Sequence, residues 1–180
     1  MARNVEIKAR IESIEAVLPL ALDLADGPPE AIAQDDTFFT CAIGRLKLRV
    51  FADGRGELIA YARPDALGPK TSDYAIAPVA EPDALRATLA RALGTGGRVI
   101  KQRTLLLVGR TRVHLDRVEG LGDFLELEVV LRDGESADDG VAVAHELLRA
   151  LRVDAAQLVS GAYVDLLRQA EKKPASNAAL

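Results

Sequence analysis

Six short stretches of this chain alternate charged with apolar side chains, and that alternation constrains the fold more than any other feature of the sequence. In VEIKARI, Val5 to Ile11, Glu6, Lys8 and Arg10 alternate with Val5, Ile7, Ala9 and Ile11. Successive side chains of an extended strand point to opposite faces, so one face of this strand is charged and the other apolar. RLKLRV, ELIAYAR, VIKQR, RTRVHLD and FLELEVV repeat the arrangement. For a single strand, a solvated outer face explains the pattern. Taken together the strands ask for more. Arg45, Lys47 and Arg49 put three like charges on one face, Lys101 and Arg103 add two, and Arg110 and Arg112 two more. Directly opposed like charges destabilise a sheet by something under about 1 kcal/mol per pair, so an anion shared among them is an economical explanation. Glu6, Asp116, Glu126 and Glu128 alternate in the same way. Hard oxygen ligands beside a basic cluster suit a metal–phosphate complex, in which carboxylates hold the dication while Arg and Lys neutralise the remaining phosphate charge. The pattern predicts a charged cavity for a polyphosphate and its metal.

The remaining composition narrows the partners. At 180 residues the chain suits one domain, with enough apolar residues for a substantial core and no linker long enough to divide it. Lys plus Arg number 23 against 27 Asp plus Glu, a net charge of −4, so an anion site must come from local clustering and nucleic acid is not expected as a partner. The absence of Trp argues the same way, since base-stacking platforms need aromatic rings. No window approaches the roughly 18 apolar residues that span a bilayer, so no membrane role is expected. The single cysteine, Cys41, excludes an intramolecular disulfide, and the Met-Ala-Arg start lacks a signal-like apolar stretch; a cytoplasmic location is the expectation.

Eight strands and four helices follow from the periodicities. Strands are expected at Val5 to Ile11, Gln34 to Ala42, Arg45 to Phe51, Glu57 to Arg63, Ser72 to Val79, Val99 to Val108, Arg110 to Arg117 and Phe124 to Leu131. Ser13 is a plausible N-cap for a helix to Ala25. Leu85, Leu89 and Leu93 mark a second helix that ends at Gly94. A third begins after Ser136, with Asp138 and Asp139 at its positive end, and a fourth runs from Asp154 to about Lys172. Pro64 to Lys70 is expected as a loop, residues 1–172 as the domain, and 173–180 as a frayed tail. Gly94-Thr95-Gly96-Gly97 lacks the GK[ST] ending of a phosphate loop and reads as a helix cap and turn. Cys41 reads as a small core side chain, His114 as a residue on the face of Asp116, and His145 as a structural residue of the third helix. Neither histidine has the partners of a zinc site.

Several segments jointly resemble the CYTH, or triphosphate tunnel metalloenzyme, family, and its class IV adenylate cyclase-like branch in particular. They are QDDTFF (Gln34 to Phe39), RLKLR (Arg45 to Arg49), LIAYARPDALGPKTSDY (Leu58 to Tyr74) and VHLDRVEGLGDFLELEVVL (Val113 to Leu131), together with Asn4-Val5-Glu6-Ile7-Lys8, where the family has ExExK. Asn4 stands in place of that motif's first Glu. The resemblance implies an α+β fold, an eight-stranded antiparallel β-barrel with helices packed outside and a charged tunnel within. It implies basic tunnel residues at Lys8, Lys47, Arg49, Arg63, Lys101 and Arg103, with Lys70 and Arg112 as further candidates, and metal carboxylates at Glu6, Glu126 and Glu128, with Asp116 as a helper. Lys8 and Glu126 would be the central catalytic pair. Alternation alone does not say whether Arg10, Arg45, Arg110 or Arg112 points inward. The implied activity is Mg²⁺- or Mn²⁺-dependent chemistry on a small triphosphate, foremost conversion of ATP to cyclic AMP and pyrophosphate. The alternatives are hydrolysis of thiamine triphosphate, tripolyphosphate or a nucleoside triphosphate, and a non-catalytic binder of polyphosphorylated ligands, which Asn4 motivates. Both monomer and homodimer stay open.

Overall fold

The strands close on themselves. In the computed structural model, which describes residues 2–62 and 68–172, eight antiparallel strands form one barrel with the order β1-β5-β4-β3-β2-β6-β7-β8. They are β1 (Ala2–Arg10), β2 (Glu30–Phe39), β3 (Arg45–Phe51), β4 (Gly56–Ala62), β5 (Lys70–Val79), β6 (Thr95–Val108), β7 (Thr111–Val118) and β8 (Gly122–Val130). Strand β1 pairs with β8 on one side and β5 on the other, which is the closure that strand counting does not supply. Closure leaves no free edge and divides every strand into an inside and an outside face.

The apolar face is the outside. Helices α1 (Ile14–Leu24) and α3 (Ala137–Ala150) lie over the wall formed by β1, β6, β7 and β8, where Val5, Ile7, Leu115, Leu125 and Leu127 are buried beneath Val17, Ala144, Leu147 and Leu148. The caps are as the sequence suggests: Ser13 Oγ accepts from Ala16 N, and Ser136 Oγ from Asp139 N. Helix α2 (Pro82–Leu93) packs on β2 and β3 and ends at Gly94. Among the described residues, no helix is long and apolar enough to cross a membrane.

Three local expectations change. The predicted continuous helix after Asp154 is instead a 3₁₀ turn, Ala155–Gln157, an extended break, and α4 (Tyr163–Lys172). Leu158 bridges to Ala9, Val159 N donates to Lys8 O, and Gly161 takes φ 80°, so the chain attaches to the end of β1 before turning into the helix. Cys41 is exposed rather than in the core, because β2 ends at Phe39 and Thr40 N donates to Gly94 O, leaving Cys41 in the connection to β3. Thr95 and Gly97 already pair with Phe39 and Phe38, so the glycine-rich stretch after α2 opens β6 at an irregular register instead of forming a separate turn. Arg63, residues 64–67 of the expected loop and the tail 173–180 lie outside the described residues.

Candidate functional site

A cavity of about 410 Å³ runs inside the barrel. One end is filled by a second apolar cluster, with Phe38, Val99, Val118 and Phe124 from the strands, Ala162 from the segment before α4, and Tyr163 and Val164 from its first turn. Ile32, Phe51, Ile76 and Leu105 line the cavity toward the other end.

Sequence alternation becomes chemistry through register. On β3, Lys47 and Arg49 point inward and meet Asp36 of β2: Lys47 Nζ lies 2.7 Å from Oδ2, while Arg49 Nε and Nη2 each donate across 2.8 Å. On β6, Lys101 and Arg103 meet Asp116 of β7 in the same manner, at 2.9 Å for Lys101 and 2.6 Å for both Arg103 contacts. The barrel thus holds two Lys-x-Arg forks, each buttressed by one aspartate from the neighbouring strand. A bidentate carboxylate fixes one edge of each guanidinium, and Arg103 further meets Glu126 and His114. The two aspartates differ in access, since Asp36 lines the cavity whereas Asp116 is fully buried and also accepts from Tyr163 Oη at 3.0 Å.

A carboxylate group shares the cavity with these forks. Register places Glu6 opposite Glu128 and Lys8 opposite Glu126 across β1 and β8, then Arg112 opposite Glu128 and His114 opposite Glu126 across β7 and β8. Lys8 Nζ is 3.2 Å from Glu126 and 3.8 Å from Glu6, and it lies 4.2 Å from the centroid of the Tyr163 ring. Arg103 Nη2 reaches Glu126 Oε2 at 2.9 Å, and Arg112 Nη2 reaches Glu128 Oε2 at 2.7 Å. Ligand atoms of His114, Glu126 and Glu128 lie within 4.8 Å of one another.

Burial and charge set the protonation states. Burial alone would raise the pKa of Asp36 and Asp116, but Lys47 with Arg49, and Arg103 with Lys101, hold both well below the usual carboxylate range. Glu126 is likewise held well below the usual carboxylate range, the nearby Lys8 and Arg103 outweighing its desolvation. Glu128 is also lowered against its burial, with the guanidinium groups of Arg112 and Arg103 among the causes. Desolvation and the adjacent Arg103 pull Lys101 down to about 7. The same two causes lower His114, so its imidazole is neutral at pH 7.

The donor set fits a hard dication. Glu6, Glu126 and Glu128 offer carboxylates, and the buried Asn4 Oδ1, which lines the cavity, has no hydrogen-bond partner. Of the basic residues expected to lie inside, Lys8, Lys47, Arg49, Lys101, Arg103 and Arg112 all line the cavity. Lys70 is buried opposite Glu6 on the inward parity of β5. Asp116 sits beneath Lys101 and Arg103, away from the cavity surface. Arg10 instead lies over the Phe124 ring, Arg45 pairs with Asp165, and Arg110 pairs with Glu135. His145 is on the exposed side of α3.

Sequence reasoning did not single out Asp36 or Tyr163. Asp35 and Asp36 are adjacent, and only pairing shows that Asp36 faces Arg49 inside while Asp35 holds Arg98 on the exterior. The inward parity of Lys47 and Arg49 is a signal that could have asked for an acidic partner, but not which strand supplies it. Tyr163 carries no local signal, being delivered by the break before α4.

Comparison with known proteins finds a family model, the CYTH domain, matching residues 2–163. Adenylate cyclase CyaB of Aeromonas hydrophila is 25% identical over 174 residues, 92% of this chain and 89% of that protein. Among solved structures, the PH1012 protein of Pyrococcus horikoshii OT3 superposes with a TM-score of 0.82 at 20% identity, covering 91% of this chain and 99% of that one. HpAC1 from Hippeastrum, described as a putative adenylyl cyclase with a dominant triphosphatase activity, gives 0.67 at 15% identity, covering 97% and 99%. At these identities the structural likeness shows a shared fold.

Proposed function

Since the chain belongs to the CYTH domain family, we propose that it is a metal-dependent enzyme acting on a triphosphate within its barrel, with ATP cyclised to cyclic AMP and pyrophosphate as the leading reaction. The observation that carries this reading is the pair of Lys-x-Arg forks and the carboxylates Glu6, Glu126 and Glu128 lining one cavity within the barrel. Cations and hard oxygen ligands in one cavity match the two requirements of phosphoryl chemistry, charge neutralisation and positioning.

Glu6, Glu126 and Glu128, with Asn4 as a neutral oxygen, would hold Mg²⁺ or Mn²⁺, which when bound polarises the phosphoryl groups and stabilises leaving-group charge. Lys47, Arg49, Lys101, Arg103, Lys8 and Arg112 hold the chain of phosphates extended along the cavity, and Asp36 and Asp116 keep the forks oriented. In cyclisation the ribose 3′-oxygen attacks the α-phosphorus as its hydroxyl proton passes to solvent, the bond to the bridging oxygen breaks, and pyrophosphate leaves with the electron pair. In hydrolysis, water attacks the terminal phosphorus instead, giving up a proton to solvent, while the bond from that phosphorus to its bridging oxygen breaks and the diphosphate leaves with the electron pair. The apolar side chains toward the mouth favour a substrate with an organic group, such as a nucleoside or thiamine, over bare tripolyphosphate.

The test is incubation of the purified protein with ATP, thiamine triphosphate and tripolyphosphate separately, in Mg²⁺ or Mn²⁺, with product separation. Cyclic AMP and pyrophosphate in equal amounts are expected from ATP. Phosphate release would move the assignment to triphosphatase, and binding without turnover of any substrate would overturn the enzyme reading. Glu126→Gln is expected to lower metal-dependent turnover by roughly a hundredfold or more, the scale of losing a transition-state charge contact.

A further inference from the structure

His114 carries a buried polar atom that nothing in the protein satisfies. The residue is 3% exposed, projects into the cavity from β7, and its Nδ1 has no hydrogen-bond partner. Its other ring nitrogen, Nε2, lies 3.4 Å from Arg103 Nη1. A guanidinium only donates, so Nε2 must accept, and the neutral ring carries its proton on Nδ1. The nearest carboxylate oxygens are Glu126 Oε2 at 3.8 Å and Glu128 Oε1 at 4.0 Å, too far to accept. Neither glutamate is free to close the gap: Glu126 is held by Lys8 and Arg103, and Glu128 by Arg112. The separations among His114, Glu126 and Glu128 would suit three ligands of one metal ion, but a protonated Nδ1 has no lone pair to give.

We propose that His114 is a substrate-binding residue whose Nδ1–H donates a hydrogen bond to a phosphoryl oxygen of the triphosphate, beside the Glu126 and Glu128 carboxylates. This rests on the reading of the cavity as a triphosphate site. An anionic oxygen is the strongest acceptor such a donor can meet. Arg103 and Arg112 flank the position and offset the two carboxylates, so an anion entering here meets no net repulsion. Arg103 then has two tasks, contacting the phosphates and fixing the tautomer of the neighbouring imidazole.

The experiment is calorimetric titration of tripolyphosphate, with Mn²⁺ present, into the wild-type protein, His114→Ala and His114→Asn. The asparagine amide places an N–H where imidazole Nδ1 stands. Affinity is expected to fall roughly tenfold or more in His114→Ala, the scale of a hydrogen bond to a charged group, and to stay within about threefold in His114→Asn. An imidazole ¹H–¹⁵N correlation spectrum of the wild type, which needs no variant to fold, is expected to show the proton on Nδ1 and a shift of that nitrogen when tripolyphosphate is added. A proton on Nε2, or nitrogen coupling to bound Mn²⁺ in pulsed paramagnetic resonance, would overturn the proposal by making His114 a metal ligand. Unchanged affinity in His114→Ala would overturn it while leaving the triphosphate reading standing. Failure of the wild type to bind any triphosphate would instead remove that reading, and this inference with it.

Discussion

Lys101 shows how single residues turn burial into pH dependence. Desolvation first, then Arg103, lower its pKa to about 7, against about 10.4 for an unfolded lysine. Between these values the unfolded chain binds more protons than the folded one, so the contribution of Lys101 to stability is present above the unfolded pKa and is lost as pH falls through 7. Anion binding has the opposite sign, because a polyphosphate needs the ammonium. Tripolyphosphate affinity is therefore expected to weaken between about pH 7 and 9, by up to about tenfold per pH unit, with proton uptake on binding. Calorimetry in two buffers of different ionisation enthalpy measures that uptake, and Lys101→Arg, charged throughout, should flatten the curve. If wild type and Lys101→Arg show the same pH slope, Lys101 is not the titrating group. At this scale period-2 alternation made much of the sequence readable: Glu6, Lys8, Lys47, Arg49, Lys101, Arg103, Glu126 and Glu128 all line the cavity, while Arg10, Arg45 and Arg110, on the same parity, instead meet Phe124, Asp165 and Glu135. It was not readable for Asp36 against Asp35, because neighbouring residues have opposite parity and nothing local ranks them.

Helices were placed by their own periodicity and moved only where a partner outweighed it. Gly140, in the first turns of α3, shows the closeness of one such contact: a Cβ there would lie 2.7 Å from Leu131 Cδ2 and 2.8 Å from Val5 Cγ2. Alanine favours a helix over glycine by up to about 1 kcal/mol, yet overpacking against two buried side chains typically costs about 1–3 kcal/mol. Gly140→Ala is accordingly expected to destabilise the protein by about 1–2 kcal/mol in denaturant unfolding; a stabilised variant would show that α3 does not approach β1 this closely. The break before α4 is the converse case. Residues 154–172 carry a continuous helical pattern, but hydrogen bonding of Val159 to β1 and the left-handed backbone of Gly161 interrupt it. The interruption brings Tyr163 under Lys8 and Lys101, with its ring centroid 4.2 and 5.0 Å from the two ammonium nitrogens.

At the scale of the whole molecule, the barrel is closed by strand pairing around a charged interior whose charges are mutually paired. Lys8 with Glu126, Lys47 and Arg49 with Asp36, Lys101 and Arg103 with Asp116, and Arg112 with Glu128 leave none of these buried cations alone. A dication and a triphosphate entering together add opposite charges to an already balanced cavity, whereas either alone upsets it. The melting temperature is expected to rise more with Mn²⁺ and tripolyphosphate together than the sum of the rises with each. Saturation at a thousandfold over Kd corresponds to about 4 kcal/mol of added stability. Additive or absent shifts in a thermal melt would contradict coupled binding in one cavity. Alternation and helical spacing are local periods, and by themselves they determined which strand face is charged, which is apolar, and where most helices start and stop. The pairing of β1 with both β5 and β8, the meeting of each Lys-x-Arg fork with its aspartate, and the delivery of Tyr163 to the barrel end were decided only by the tertiary structure. Those contacts join residues as far apart as Lys8 and Tyr163, and their register is set by long-range hydrogen bonding and the burial of the outer apolar faces, which no local period encodes.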